Sequence, residues 1–204
     1  MTATPTKTAI IYYSSTGTVD AMARRAARTA EKNGAEVRLR HVAETAPDEA
    51  VQSQEAWAEH RSDVEGDPVA EPGDLEWADV VLMGTPTRFG SAASQLQAFI
   101  DTLGPLWQEG GLADKVYAGF TATQTEHGGQ ESTLLSLYTT FMHWGGIIVA
   151  PGYTDELKFA DGNPYGAGKV TGEAGPEAEL EDTDTDAIDH LVTRAVTVAR
   201  RLAG

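Results

Sequence analysis

Along the chain, short apolar runs alternate with stretches in which apolar positions recur every three or four residues. Residues 9–13, 37–41, 80–83, 116–120 and 147–149 read as strands, mostly the continuous apolar runs typical of parallel strands buried on both faces. Helical patterns lie between and after them: Val19, Met22, Ala23, Ala26 and Ala30; Leu96, Phe99, Ile100 and Leu103; Leu134, Leu135, Tyr138, Phe141 and Met142; and Ile188, Leu191, Val192, Ala195, Ala199 and Leu202. Gly34 stands where a C-cap would end the first helix. This alternation predicts a three-layer α/β/α sandwich, with a five-stranded parallel sheet and right-handed crossovers. The predicted strand order is the flavodoxin-like 2-1-3-4-5, which puts a ligand outside the carboxyl ends of the strands at the switch point.

Two stretches break the rhythm. Residues 44–76 are polar and acidic without a clear strand, and residues 151–183 are rich in Gly, Pro and acid. Both read as insertions in a single domain spanning residues 1–204. The second follows the fifth strand at the ligand-binding edge, which favours a functional or subunit-contact role over disorder. Its acidic run EAELEDTDTD reads as a solvated lead-in to the last helix.

Composition narrows the chemistry. No apolar run approaches the roughly 20 residues of a membrane span, and the start MTATPTKTAI lacks a signal-like apolar segment. A cytoplasmic protein without stable membrane association is expected. The absence of Cys removes disulfide scaffolds, thiolate zinc sites and cysteine phosphatases. No EF-hand pattern or paired-His motif suggests a metal site. With 15 basic and 31 acidic residues the formal charge is -16, which argues against a nucleic acid partner. Two readings of that excess stay open, a solvated soluble surface and adaptation to high salt.

Three turns then draw the eye. In IIYYSSTGTVDAMA, Ser14, Ser15, Thr16, Gly17, Thr18 and Val19 join the first strand to a helix N-terminus, presenting hydroxyls, free N–H groups and a helix dipole to an anion. It is neither a P-loop nor a dinucleotide fingerprint, and it contains no Lys or Arg. An N-cap turn with nothing bound is the alternative. In GTPTRFG, Pro86, Thr87, Arg88, Phe89 and Gly90 follow the third strand, placed to meet a flat heteroaromatic ring. In TATQTEHGGQES, Thr123, Gln124, Thr125, Gly128 and Gly129 follow the fourth. Loops from three strands converging on one ligand are more specific than any one of them.

The stretches YYSSTGTVDAMAR, GTPTRFGSAASQLQAFIDTLGPLW, GGQESTLLSLYTTFMHWGGIIVAPGY and NPYGAG resemble, in order and spacing, the flavodoxin-like NAD(P)H:quinone oxidoreductases of the WrbA type, over nearly the whole chain. The resemblance implies FMN as cofactor, a homotetramer, and two-electron reduction of quinones by NADH or NADPH in ping-pong order. It puts the FMN phosphate on the first loop, the isoalloxazine on Thr87, Arg88 and Phe89, and Thr123, Thr125 and Gly129 on its other side. His143 matches a histidine near the flavin face, Trp107 the aromatic wall of the substrate pocket, which a neighbouring subunit can supply, and Tyr153 a tyrosine after the fifth strand. The chain also departs from the family. It lacks the bulky Tyr usual in the first loop, carries Glu126 and His127 where glycines are usual, and has Trp144 where a second His is common.

Other readings stand beside these. His143 equally fits a helix-end residue capping carbonyls, and Trp107 a core or interface aromatic. A flavodoxin that carries electrons without turning over substrate shares the fold and cofactor, as does a protein holding FMN as a structural plug. A response-regulator receiver would need acids where this chain has Ser14 and Thr85.

Overall fold

A computed structural model describes residues 4–204. The chain runs β1 (Lys7–Tyr12), α1 (Thr18–Lys32), β2 (Glu36–His41), α2 (Asp48–Gln52), α3 (Glu55–Asp63), α4 (Pro72–Trp77), β3 (Val80–Arg88), β4 (Ser91–Ala92), α5 (Ser94–Asp101) and α6 (Gly104–Gln108). It continues through β5 (Val116–Thr123), α7 (Gln130–His143), β6 (Ile147–Ile148), α8 (Leu157–Asp161), β7 (Ala167–Val170), a 3-10 segment (Gly172–Glu177) and α9 (Asp182–Leu202).

The parallel path β2-β1-β3-β5-β6 is the predicted order of five strands. The structure adds to it at the carboxyl ends. β6 pairs with only Val116 and Tyr117, and further along β5 its place is taken by β7, which pairs with Phe120 to Thr123. Part of the 151–183 stretch is therefore sheet. β3 and β5 also run past residues 83 and 120, because Thr85 pairs with Thr121 and Pro86 with Ala122 beyond the apolar runs. Hydroxyl-bearing strand ends escape a reading based on apolar runs alone. β4 turns back on β3, pairing Thr87 with Ala92.

Strand alternation sends Ile10, Tyr12, Val80, Leu82, Ala118 and Phe120 to the side covered by α1 and α9. Ala9, Ile11, Val81, Met83 and Tyr117 go to the side covered by α4, α5 and α7. Each fully buried Ile or Leu contributes about 2 kcal/mol, so these two layers fix the strand ends as a rigid platform. Gly34, with φ 74, closes α1 as predicted: its N–H bonds Glu31 O and the next N–H, of Ala35, bonds Ala30 O.

Residues 44–76 fold as three short helices. Asp74 of α4 takes Arg38 Nη1 at 3.1 Å and Arg40 Nε at 3.3 Å, and Val69 bridges to His41, so the segment is tied to the edge strand β2. Among the described residues no helix is long and apolar enough to cross a membrane.

Candidate functional site

Because β1, β3 and β5 are parallel neighbours, the loops leaving their carboxyl ends face one another. In the first loop Gly17 is the N-cap of α1 with φ 95, a left-handed conformation that glycine adopts without strain. Its N–H donates to Ser14 Oγ at 3.0 Å. The N–H groups of Ser15, Thr16, Thr18, Val19 and Asp20 meet no acceptor among the described residues. Orphaned donors at the positive end of a 15-residue helix make an anion cradle.

The second and third loops are locked together. Thr87 Oγ1 lies 2.8 Å from Thr133 Oγ1 and accepts the Gly90 N–H at 3.2 Å. A Cβ on Gly129, whose φ is 93, would stand 2.9 Å from Gly90 Cα, so the two backbones touch where only glycine fits. Gln130 Nε2 donates to Thr123 Oγ1 at 3.0 Å, and Thr123 Oγ1 in turn donates to Thr125 O at 2.9 Å, which holds the third loop. From the second loop, Arg88 Nη2 reaches across to Ser15 Oγ at 3.1 Å.

These loops enclose a cleft of about 590 Å³. Of the residues expected to hold the cofactor, Ser14, Ser15, Thr16, Thr18, Val19, Pro86, Thr87, Arg88, Thr123, Gln124, Thr125 and Gly128 line it. Gly17, Gly90 and Gly129 shape the loops without lining it. Phe89, with φ 54 and its ring fully exposed, turns away from it. In a chain of charge -16, Arg88 is the one charged side chain among the described lining residues, and no acid enters.

Both insertions add walls that sequence reasoning missed. Gln54 and Trp57 come from the 44–76 segment, and Thr171, Gly175 and Pro176 from the segment after β7. Trp57 Nε1 donates to Glu44 Oε2 at 2.9 Å, and the same carboxylate accepts Tyr13 Oη at 2.7 Å, Gln95 Nε2 at 2.6 Å and the Ala46 N–H at 2.8 Å. Burial pushes the Glu44 carboxyl up, but these donors outweigh it and hold it below the ordinary carboxylate value. Burial, then the bond to Glu44, raise the Tyr13 hydroxyl. A lone Trp in a polar stretch was the available signal for this wall.

His143, Trp107 and Tyr153 lie outside the cleft of their own chain. α7 starts at the cleft, and its 14 residues carry its far end roughly 21 Å along the helix to the amino ends of the strands. There Trp107 Nε1 donates to His143 O at 3.1 Å, beside a hollow of about 250 Å³ with Ile100 and Leu103. Tyr153 stacks on Phe159 with ring centres 4.9 Å apart, on the exposed start of the 151–183 segment. Among the described residues there is no cluster of His and acid side chains suited to a metal ion.

Residues 6–155 match the family described as NADPH-dependent FMN reductase. The chain belongs to this family. Within it the chain is 49% identical over 201 residues to an NAD(P)H dehydrogenase (quinone) of Deinococcus radiodurans, covering 98% of each sequence. It is 43% identical over 166 residues to one from Azorhizobium caulinodans, covering 79% of this chain and 81% of the relative. In fold the chain is similar to the WrbA-like flavodoxin of Agrobacterium tumefaciens, with TM-score 0.69, 24% identity and coverage of 96% of this chain and 98% of that one. It is also similar in fold to a flavodoxin from the domain Archaea, at TM-score 0.61, 13% identity and coverage of 95% and 99%.

Proposed function

We propose that this chain is an FMN-dependent NAD(P)H:quinone oxidoreductase that reduces quinones to hydroquinones by two electrons, the two substrates entering one pocket in turn. The observation that carries the reading is the acid-free cleft lined by orphaned N–H groups in a member of the FMN reductase family. The residues fit the cofactor: the N–H groups and hydroxyls of residues 14–19 would hold the phosphate, and Pro86, Thr87, Arg88, Gln124, Thr125 and Trp57 would bound the ring. FMN, when bound, supplies a ring that takes a hydride from NADH or NADPH and gives two electrons to a quinone. The protein's part is placement, exclusion of water and a fixed field.

Trp107 and His143 enter this reading as residues that a neighbouring subunit brings to the cleft in a homotetramer, where the His143 imidazole would hold a quinone oxygen or hand it a proton. The half-exposed Trp107 and the exposed Met142 and Leu135 support a subunit contact at that face. The same reading puts the enzyme in the cytoplasm and takes the acid excess as a soluble or salt-adapted surface.

The test is anaerobic absorbance spectroscopy of protein loaded with FMN. Bleaching by NADH or NADPH and recovery with benzoquinone is the expected result. A flavin that binds but stays oxidised would instead identify an electron carrier of the flavodoxin kind.

A further inference from the structure

The first loop carries no Lys or Arg, yet a phosphate monoester near neutral pH carries close to two negative charges. A candidate for the missing charge stands behind the loop, on the inserted helix α3. His60 is only 9% exposed, and its imidazole takes no hydrogen-bond partner among the described residues, its nitrogens keeping contact with solvent through the cavity beside it. Its Nδ1 lies 3.7 Å from where a Cβ on Gly17 would be. The imidazole opens into a second cavity of about 540 Å³, which shares Ser14 and Trp57 with the cleft.

We propose that His60 is a proton-linked counter-charge for the flavin phosphate: it takes one proton from solvent as the phosphate settles on residues 14–19, and releases it when FMN leaves. The proposal rests on the FMN reading above. A buried imidazole without a partner costs less as the neutral species, and burial holds His60 below its ordinary value. Other cations border the loop, Arg88 by donating to Ser15 Oγ at 3.1 Å and Arg24 and Arg28 by sharing a hollow with Thr16, Gly17 and Thr18, so the His60 charge adds to theirs. From α1, Asp20 is engaged by Tyr12 Oη and by Arg24 Nε at 2.8 Å, and Arg24 also binds Asp67 at 2.6 Å. Asp63 lies on α3, His41 on β2 gives its Nε2 to Asp67 O at 3.1 Å, and Glu44, Arg61 and Glu65 line the same cavity. Of these Arg61 pairs outward with Asp48 at 2.7 Å. Arg88 approaches from the far side of the cleft, at Ser15. A dianion held by residues 14–19 would change the balance at His60, because negative charge on the loop that His60 backs favours the imidazolium.

His60 acts through charge and not by touching the cleft, so it is a positioning residue and pH is the variable that exposes it. An imidazole whose value rises on binding strengthens binding below that raised value, and the gain is lost as pH rises through it. The experiment is titration of the protein with FMN and with riboflavin across about pH 6.5 to 8.5, together with calorimetry in two buffers of different ionisation enthalpy. For wild type, FMN affinity should fall about three- to tenfold more over that range than in His60→Gln, with net proton uptake on binding, while riboflavin affinity stays flat. His60→Gln keeps the volume and removes the titration, and measuring it over the same range subtracts the phosphate's own protonation. His60→Asn serves if that variant does not fold, and proton uptake by wild type needs no variant when it is read near about pH 7.5, where the free phosphate is already almost wholly the dianion and releases no proton on binding. Equal slopes for wild type and variant, equal slopes for FMN and riboflavin, or no proton uptake would overturn the assignment. Failure of wild type to bind FMN at any pH would sink the flavin reading itself, a distinct outcome.

Discussion

At the carboxyl ends of β1, β3 and β5 the surface is polar and lined by three loops of one chain, whereas at the opposite end α6 and the last turn of α7 leave Trp107, His143 and Met142 open to solvent. The first end is built from donors that water would otherwise satisfy and from glycines that let two loops touch. The second is built from apolar and aromatic surface that has no covering element among the described residues. On the proposed function, the first end would hold the cofactor on fixed backbone, and the second would be the wall another subunit brings to the substrates. Variants at each end therefore separate cofactor binding from turnover.

The largest effect is expected at Gly129, where a side chain meets both a positive φ and the Gly90 backbone. Gly129→Val should cost about 3 kcal/mol of stability, measured by urea unfolding, and weaken FMN binding more than about tenfold. Unchanged FMN affinity would show that the second and third loops do not bound the cofactor. Next is Glu44→Ala, which strands Tyr13 Oη, Trp57 Nε1 and the Gln95 amide and should cost about 2 kcal/mol. The sign with pH follows from the depressed carboxyl. The Glu44 contribution is present above its unfolded value, near 4.3, and is lost as pH falls through the folded value. The acid limb of a stability profile should therefore flatten in the variant.

At the opposite end, Trp107→Ala should lower quinone kcat/KM about tenfold with FMN affinity and single-chain stability little changed. Loss of FMN along with turnover would break the division between the two ends. The smallest effect belongs to a surface pair away from both. Arg25 grips both oxygens of Asp189 at 2.6 and 2.8 Å, but the pair is about a third exposed, so Asp189→Asn should cost under about 1 kcal/mol in thermal unfolding.

Period and composition made the platform legible. Buried parallel strands write themselves as apolar runs, amphipathic helices repeat at 3.6, and the turns rich in Ser, Thr and Gly at three strand ends contain twelve of the residues that line the cleft. Trp57, Thr171 and Pro176 were not legible, because each lies in an insertion whose path depends on long-range contacts: Asp74 with Arg38 and Arg40 for one, the pairing of β7 with β5 for the other.

The sequence by itself determined the element types, the layer order and the chemistry of the three loops, since these follow from local period and turn composition that each segment carries on its own; the strand order was expected from the fold class and is set by pairing between distant segments. Tertiary structure alone decided how far β3 and β5 run, that the insertions wall the cleft, that His60 lies behind Gly17, and that Trp107 and His143 lie a helix-length from the cleft of their own chain. Those facts depend on where distant segments pack, and the energy that places them is shared across contacts no single segment contains.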